Sequence, residues 1–141
     1  MVVDKLTLLR LLDKLKHEVD KLEGMEFGLD DALENEDVQD LVDRRLQVAI
    51  ESCIDMATMI VAALSLKRRD EAAGVFRELS LAKIISRDLA EKMAKACGLR
   101  NVLVHEYVDI DYKIVYEAKV NNLDNFREFA KVVSGLLEKV K

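Results

Sequence analysis

Residues 49–66 read AIESCIDMATMIVAALSL, and this stretch determines the class of fold. It contains only two charged side chains, Glu51 and Asp55. A helix that is apolar around nearly its whole circumference must be covered on every side. A membrane would supply that cover, but two carboxylates within one span make the stretch a poor membrane helix. We therefore predict a central bundle helix, from Val38 to about Leu66, that also contacts a second copy of the protein.

Amphipathic helices are predicted around this central helix. Residues 3–23 carry leucine and valine side chains three and four positions apart, and Gly24 ends the helix that they form. The segment from Gly24 to Asp40 holds two glycines and six acidic residues between Asp30 and Asp40. We expect a loop or a short turn of helix there, whose acidic end favours the N-terminus of the central helix.

Three further helical stretches are predicted after the central helix. The first covers residues 70–85, with Asp70 as its N-cap and with Phe76, Leu79 and Ile84 facing inward. Ser86 caps the second, which Gly98 either kinks or leaves continuous. Asp109 and Asp111 open the last stretch, which bends at Asn121 and Asn122. The expected fold is all-α, a dimeric bundle of five to six helices.

The composition agrees with one domain over residues 1–141. Half of the residues are hydrophobic and 35% are charged, which argues against disorder. The absence of proline, with only five glycines, argues against turn-rich β architectures. Cys53 and Cys97 are too few for a disulfide scaffold and form no CxxC metal pair, so we expect buried thiols. The N-terminus does not resemble a signal peptide, and we expect a cytoplasmic protein.

The net charge of −5 is distributed unevenly. Residues 1–66 carry −8, residues 67–100 carry +4 and residues 101–141 carry −1. An acidic protein repels nucleic acid, because phosphate contacts come from clustered lysine and arginine. Any contact with nucleic acid must therefore be local, and residues 67–100 are the place for it. A solvated helix surface is the alternative explanation of this bias.

Most candidate sites in the sequence lack the partners that their chemistry requires. Glu51 and Asp55 are four residues apart and face the same way, but no ExxH motif accompanies them, so pairing with an arginine of a neighbouring helix is the better explanation than a metal site. His17 lies among lysines on an exposed helix face. No phosphate-binding glycine loop and no HExxH motif is present. We expect no metal and no cofactor.

One stretch, RNVLVHEY at residues 100–107, combines reactive side chains on one side of a helix. At about 100° per residue, with Arg100 at zero, Asn101 lies near 100°, His105 near 140° and Tyr107 near 340°. Leu99, Val102 and Leu103 occupy the opposite arc, from about 200° to 300°, and are expected to pack inward.

These residue types suit phosphodiester chemistry. Histidine takes or gives a proton near neutral pH, and arginine holds phosphate oxygens and stabilises a more negative transition state. Asn101, one turn before His105, is placed to orient the imidazole. Arg100 and His105 diverge by about 140°, so a two-fold dimer is needed to bring two arginines and two histidines into one cleft. A structural Arg–His pair is the alternative on spacing alone.

The run RNVLVHEY resembles the R-x4-H-x-Y signature of the HepT toxins, which belong to the HEPN superfamily of helical proteins. Arg100, His105 and Tyr107 complete the match. The size of the chain and the RRLQVAIESCIDMA stretch at residues 44–57 are also similar to that family.

The resemblance implies a helical dimer with a metal-independent ribonuclease site, in which Arg100 and His105 are catalytic and Asn101 is supporting. It also implies a toxin whose partner is an MntA-type nucleotidyltransferase antitoxin. That antitoxin would neutralise the toxin by adenylylation of Tyr107. The alternative function is a non-catalytic helical dimer that acts as a partner or scaffold subunit of a nucleotidyltransferase. The acidic net charge fits the alternative slightly better, and the intact Arg–His–Tyr set favours the ribonuclease.

Overall fold

The computed structural model describes residues 4–105 and 109–139 of the chain. Within those ranges the protein is all-α and contains no strand, as predicted. The helices, in chain order, are α1 (Lys5–Gly24), α2 (Leu29–Glu34), α3 (Glu36–Ala63), α4 (Ala72–Leu81), α5 (Arg87–His105), α6 (Tyr112–Asn121) and α7 (Leu123–Glu138).

The described residues thus form seven helices, so the predicted count of five to six was too low. The acidic segment after α1 contains the six-residue helix α2, which is too short for its apolar periodicity to be recognised. The last predicted stretch is divided at Asn122, which ends α6 and begins α7.

Side chains that cap the helices explain several of the helix starts. Ser86 Oγ accepts a 3.0 Å hydrogen bond from the backbone N–H of Leu89, and Asp111 Oδ1 accepts one from Lys113. Both residues were predicted as helix openers, and the structure confirms them. Asn35 caps α3 in the same way, through the N–H groups of Asp37 and Val38. Each cap satisfies backbone donors that a helix N-terminus otherwise leaves open.

The predicted start of α4 was wrong. Its N-cap is Glu71 rather than Asp70, and no side chain caps it. The preceding residues are held outside the helix because the Glu78 carboxylate bonds both the backbone of Lys67 and the guanidinium of Arg69. These bonds join residues nine and eleven positions apart, so the start of α4 cannot be predicted from capping preferences of neighbouring residues alone.

The end of α4 also differs from the prediction. The helix stops at Leu81, and Lys83 adopts a left-handed φ of 61°. That turn places Ile85 in the core, whereas Ile84 is only partly buried. The inward positions of Phe76 and Leu79 are confirmed.

Helix α3 is the centre of the fold, because it contacts all six other described helices. Its core-facing side chains include Leu46, Ile50, Met56 and Ile60. The helix is long and apolar enough to cross a membrane by length and composition alone, but 56% of its most apolar window is buried against the other helices. It therefore serves as the core helix of a bundle.

One face of α3 stays uncovered within a single chain. Asp55, Thr58 and Ala62 are exposed there, and Ile54 and Met59 are only partly buried. An apolar helix with an open strip of this kind matches the expectation that a second copy completes its cover.

Helix α5 packs mainly on α4 and runs without interruption through Gly98, so the glycine does not kink it. Cys97 on α5 and Cys53 on α3 are both free and buried, as predicted. Their burial raises the pKa of each thiol, which keeps both in the unreactive protonated form.

Candidate functional site

The Arg–His motif occupies the last turn and a half of α5, which ends at His105. Leu103 is buried, and Val102 is half-buried. Arg100 is half-buried, whereas Asn101 and His105 are exposed. The predicted division of this helix into an inner apolar and an outer polar side is confirmed for these residues. Tyr107, the third member of the motif, lies outside the described residues.

The guanidinium of Arg100 is partly buried without being neutralised. Its Nε atom is buried and finds no hydrogen-bond acceptor among the described residues. An N–H donor that is buried and unpaired costs free energy. Arg100 as a whole is only half-buried and forms no ion pair in the described residues, so its charge remains for a phosphate oxygen to offset.

Asp55 on α3 is the carboxylate on which the charge of Arg100 acts. Burial raises the pKa of Asp55, and the neighbouring Glu51 raises it further, while Lys14 and Arg100 oppose the shift. No ion pair joins Arg100 to either carboxylate in the described part of the chain, and Glu51 instead accepts a 3.3 Å hydrogen bond from Gln47. Within the described residues, the expected ion pair between these carboxylates and an arginine of a neighbouring helix is therefore not formed.

His105 is the last described residue of α5, and its side chain is exposed. No hydrogen bond joins His105 to Arg100 or to Asn101 within residues 4–105 and 109–139. The structure therefore offers no support for a self-satisfied Arg–His pair. His105 is exposed and Arg100 is half-buried, and the two residues point about 140° apart around α5.

The described residues contain no group of three or more histidine, cysteine or acidic side chains arranged to hold a metal ion. Glu51 and Asp55 have no third ligand. His17 is exposed on α1, as predicted from its lysine-rich surroundings.

One hydrogen bond close to the motif was not predicted. The hydroxyl of Tyr112, at the start of α6, donates to Oδ2 of Asp43 on α3 at 2.7 Å. Burial raises the pKa of both groups, and the hydrogen bond raises that of Tyr112 further while it opposes the shift of Asp43. The partners are 69 positions apart, and no local pattern signals such a pair.

The family model for HepT-like ribonucleases matches residues 15–133. The chain is 33% identical over 128 residues to the tRNA nuclease HepT of Aphanizomenon flos-aquae, which covers 91% of this chain and 83% of that protein. It is 30% identical over 113 residues to the mRNA nuclease HepT of Shewanella oneidensis. This match covers 80% of this chain and 81% of that protein.

Solved structures share the whole fold. The tri-AMPylated HEPN toxin of Shewanella oneidensis, in complex with an MNT antitoxin, is similar with a TM-score of 0.86 and 24% identity over 95% of this chain and 99% of the toxin. A cytosolic protein of unknown function from Bacillus subtilis, YutE, also reaches 0.86, at 17% identity over 97% and 92%. At these identities the likeness defines the fold.

The all-α bundle is of the same fold class as the HEPN toxin of Shewanella oneidensis. Within that class, the sequence matches show that the chain belongs to the HepT-like ribonuclease family. The enzyme class is therefore endoribonuclease, and the resemblance carried by residues 100–107 is confirmed at the level of the family.

Proposed function

We propose that the protein is a ribonuclease toxin whose active site is formed by Arg100 and His105 at a cleft between two protomers. The observation that carries this proposal is the state of Arg100. Its guanidinium has a buried Nε donor with no acceptor and no ion pair in the described residues, and it lies on the helix that ends at His105. A cation held in this way is suited to an anionic substrate.

The proposed reaction transfers the phosphoryl group within the RNA. The 2′-oxygen attacks the neighbouring phosphorus, and the bond from phosphorus to the 5′-oxygen breaks. His105 of one protomer takes the proton of the 2′-hydroxyl, and the second His105 gives a proton to the departing 5′-oxygen. Arg100 stabilises the additional negative charge on the phosphate oxygens. The products are a 2′,3′-cyclic phosphate and a 5′-hydroxyl end.

A dimer is needed because one protomer does not converge on one bond. Arg100 and His105 diverge by about 140° around α5. The open strip of α3 consists of Asp55, Thr58 and Ala62. The positive charge of Arg100 slightly opposes the rise in the pKa of Asp55. Joining two protomers through this strip places both copies of the motif close to the two-fold axis.

The proposed partner is an MntA-type nucleotidyltransferase antitoxin that adds AMP to Tyr107. Support comes from the Shewanella oneidensis toxin of the same fold, which is AMPylated and held in complex with an MNT antitoxin. AMP on Tyr107, seven positions after Arg100 in the motif, would add a phosphate that competes with the RNA phosphate for this arginine. The modification would neutralise the arginine and fill the cleft.

RNA is the proposed substrate class. The relatives from Aphanizomenon flos-aquae and Shewanella oneidensis are nucleases of tRNA and of mRNA respectively, so their names do not select one target. The second candidate function, a non-catalytic partner of a nucleotidyltransferase, is favoured by one observation. The net charge is −5, and residues 1–66 alone carry −8, which is unfavourable for a general RNA-binding protein.

The deciding experiment is digestion of RNA by the unmodified protein with analysis of the ends. We expect 2′,3′-cyclic phosphate ends, undiminished in EDTA, and a loss of at least about 100-fold in Arg100→Ala and in His105→Ala. Lys95→Ala is the matched control, because Lys95 is an exposed cation of the same helix without an ion pair in the described residues. Equal activity in all three variants, or no cleavage by the wild type, would favour the scaffold function.

A further inference from the structure

A groove between the α3–α4 linker and helices α4 and α5 collects the cations of the basic segment. Its volume is about 780 Å³. Lys67, Arg68 and Arg69 line it from the linker, Arg77 from α4 and Arg87 from the first turn of α5. None of them belongs to the candidate site at the other end of α5. We call this surface the basic groove.

Two of these cations are neutralised inside the protein. Arg69 donates to Glu78 through two nitrogens, at 3.0 and 3.2 Å. Arg77 forms a similar two-pronged pair with Glu91, at 3.0 and 3.3 Å. These pairs fix the walls of the basic groove and contribute little to its net charge.

The other three cations, Lys67, Arg68 and Arg87, are exposed and form no ion pair in residues 4–105 and 109–139. Arg87 opens α5, where the helix macrodipole disfavours a positive charge. The macrodipole therefore does not account for a cation at this position. Asp70 and Glu71 also line the groove, and with Arg69–Glu78 and Arg77–Glu91 counted as neutral pairs the net charge is +1.

The linker that supplies Lys67 and Arg68 is fixed on α4. Glu78 accepts a hydrogen bond from the backbone N–H of Lys67 at 3.4 Å. Gly74 allows the linker to lie close, because a Cβ at that position would be only 3.1 Å from the Cβ of Arg69. The cations are therefore held in position before any ligand binds.

The basic groove and the candidate site lie along the same face of one helix. Arg87 and His105 are the first and last residues of α5, and 18 residues correspond to five whole turns. The two side chains thus share a direction and are separated by about 27 Å along the axis. That distance equals roughly eight steps of 3.4 Å along a stacked nucleic-acid strand.

We propose that the basic groove binds the phosphate backbone of the RNA substrate at a distance of about eight nucleotides from the bond that is cleaved. This inference rests on the proposed ribonuclease function. It explains why a protein with a net charge of −5 keeps three unpaired cations together. It also accounts for the +4 balance of residues 67–100, beyond a merely solvated surface.

The test compares a long and a short substrate. An RNA that the wild type cleaves is used in full length, reaching about twelve nucleotides beyond the cleaved bond on either side, and trimmed to four nucleotides around it. In Lys67→Gln/Arg68→Gln/Arg87→Gln, we expect the preference in kcat/KM for the long RNA to fall about tenfold, through KM. The salt dependence of binding the long RNA should weaken by a slope of about 2, for three phosphate contacts.

A charge-matched control is Lys5→Gln/Lys131→Gln/Lys139→Gln, which removes three exposed lysines that form no ion pair in the described residues, from α1, from the middle of α7 and from its C-cap. It should keep the preference for the long RNA. If the control and the groove variant behave alike, net charge accounts for the effect and the proposal is wrong. An equal loss on the long and the short RNA would also overturn it, because a distal contact cannot affect a substrate that does not reach it.

Direct binding separates this proposal from the proposed function. Fluorescence anisotropy of the long RNA is measured on His105→Ala protein with and without the groove substitutions. Weaker binding with the substitutions supports the basic groove even if the wild type proves not to cleave RNA. Unchanged RNA binding combined with weaker binding of an acidic protein partner would show that the groove recognises protein, and the proposal would be overturned.

Discussion

The hydroxyl of Tyr112 is hydrogen-bonded to Oδ2 of Asp43 at 2.7 Å, and this bond joins the first residue of α6 to the central helix. The second carboxylate oxygen, Oδ1, is buried and has no partner among the described residues. Among the described residues, the Tyr112 hydroxyl is thus the donor that compensates the partial burial of the Asp43 carboxylate. It anchors the chain five residues after Tyr107.

Removal of this bond should destabilise the fold. Tyr112→Phe leaves the Asp43 carboxylate without its donor, and we expect the free energy of unfolding to fall by about 1.5–3 kcal/mol. Urea denaturation measures this. Tyr116→Phe is the control, because the hydroxyl of Tyr116 forms no hydrogen bond in the described residues while its ring packs on Phe27. Equal losses in the two variants would show that the bond contributes nothing.

The two Arg–Glu pairs at the basic groove each contain two hydrogen bonds but differ in exposure; Arg69 donates twice to Oε2 of Glu78, and Arg77 donates to both carboxylate oxygens of Glu91. The carboxylate of Glu78 is 12% exposed and that of Glu91 is 54% exposed. Glu78→Gln should lower the free energy of unfolding by about 1–2 kcal/mol, whereas Glu91→Gln should change it by less than about 0.5 kcal/mol. Thermal denaturation at low and high salt tests the contrast. A larger loss in Glu91→Gln would contradict it.

Alkaline pH should destabilise the protein. Burial raises the pKa of the Cys97 thiol from 9.0 to about 11, while the nearby Arg100 charge opposes the shift. The stabilisation is complete below pH 9 and is lost as the pH rises through 11, since the unfolded chain loses its proton first. The change amounts to about 3 kcal/mol for this thiol. Urea denaturation from pH 7 to 11 should show a shallower decline in Cys97→Ala, and parallel curves would refute the assignment.

The open strip of α3 should mediate self-association. Light scattering is expected to give about twice the 16.0 kDa mass of the chain. Thr58 is exposed in the middle of this strip, so Thr58→Arg should yield a folded monomer that does not cleave RNA. Leu9→Arg, at an exposed position of α1, is the control and should remain dimeric. A monomeric wild type would remove the composite cleft.

Tyr107 should be the residue that accepts AMP. Incubation with a cognate nucleotidyltransferase and ATP should add mass in steps of one AMP, and Tyr107→Phe should prevent the addition. Mass spectrometry of the intact protein measures this. Tyr112→Phe is the matched control and should be modified normally, because its hydroxyl is already bonded to Asp43. Modification that persists in Tyr107→Phe would exclude this site, and full activity after modification would exclude its inhibitory role.

Much of the fold follows from the sequence because long helices repeat their signal. The predicted range of α1, 3–23, and the observed one, Lys5–Gly24, differ by two residues or fewer at either end. The central helix was predicted from Val38 to about Leu66 and spans Glu36–Ala63. The six residues of α2 carry too little periodicity to be distinguished from a loop.

The features that were missed depend on partners distant in sequence. Glu78 decides where α4 begins, by bonding residues nine and eleven positions earlier. Asp43 and Tyr112 meet across 69 positions. The polar flank of the motif was predictable, since Arg100, Asn101 and His105 follow the helix period. The absence of an ion pair between Arg100 and Asp55 was not predictable from the sequence, because it depends on how α5 packs against α3.

The unbroken length of α5 limits how this chain can change in evolution. Insertion or deletion of one residue between Arg87 and His105 would turn one end of the helix by about 100° relative to the other. The two ends would then face different directions, even though every side chain of both was retained. Variation in chain length is therefore expected in the connections on either side of this helix, and not within it.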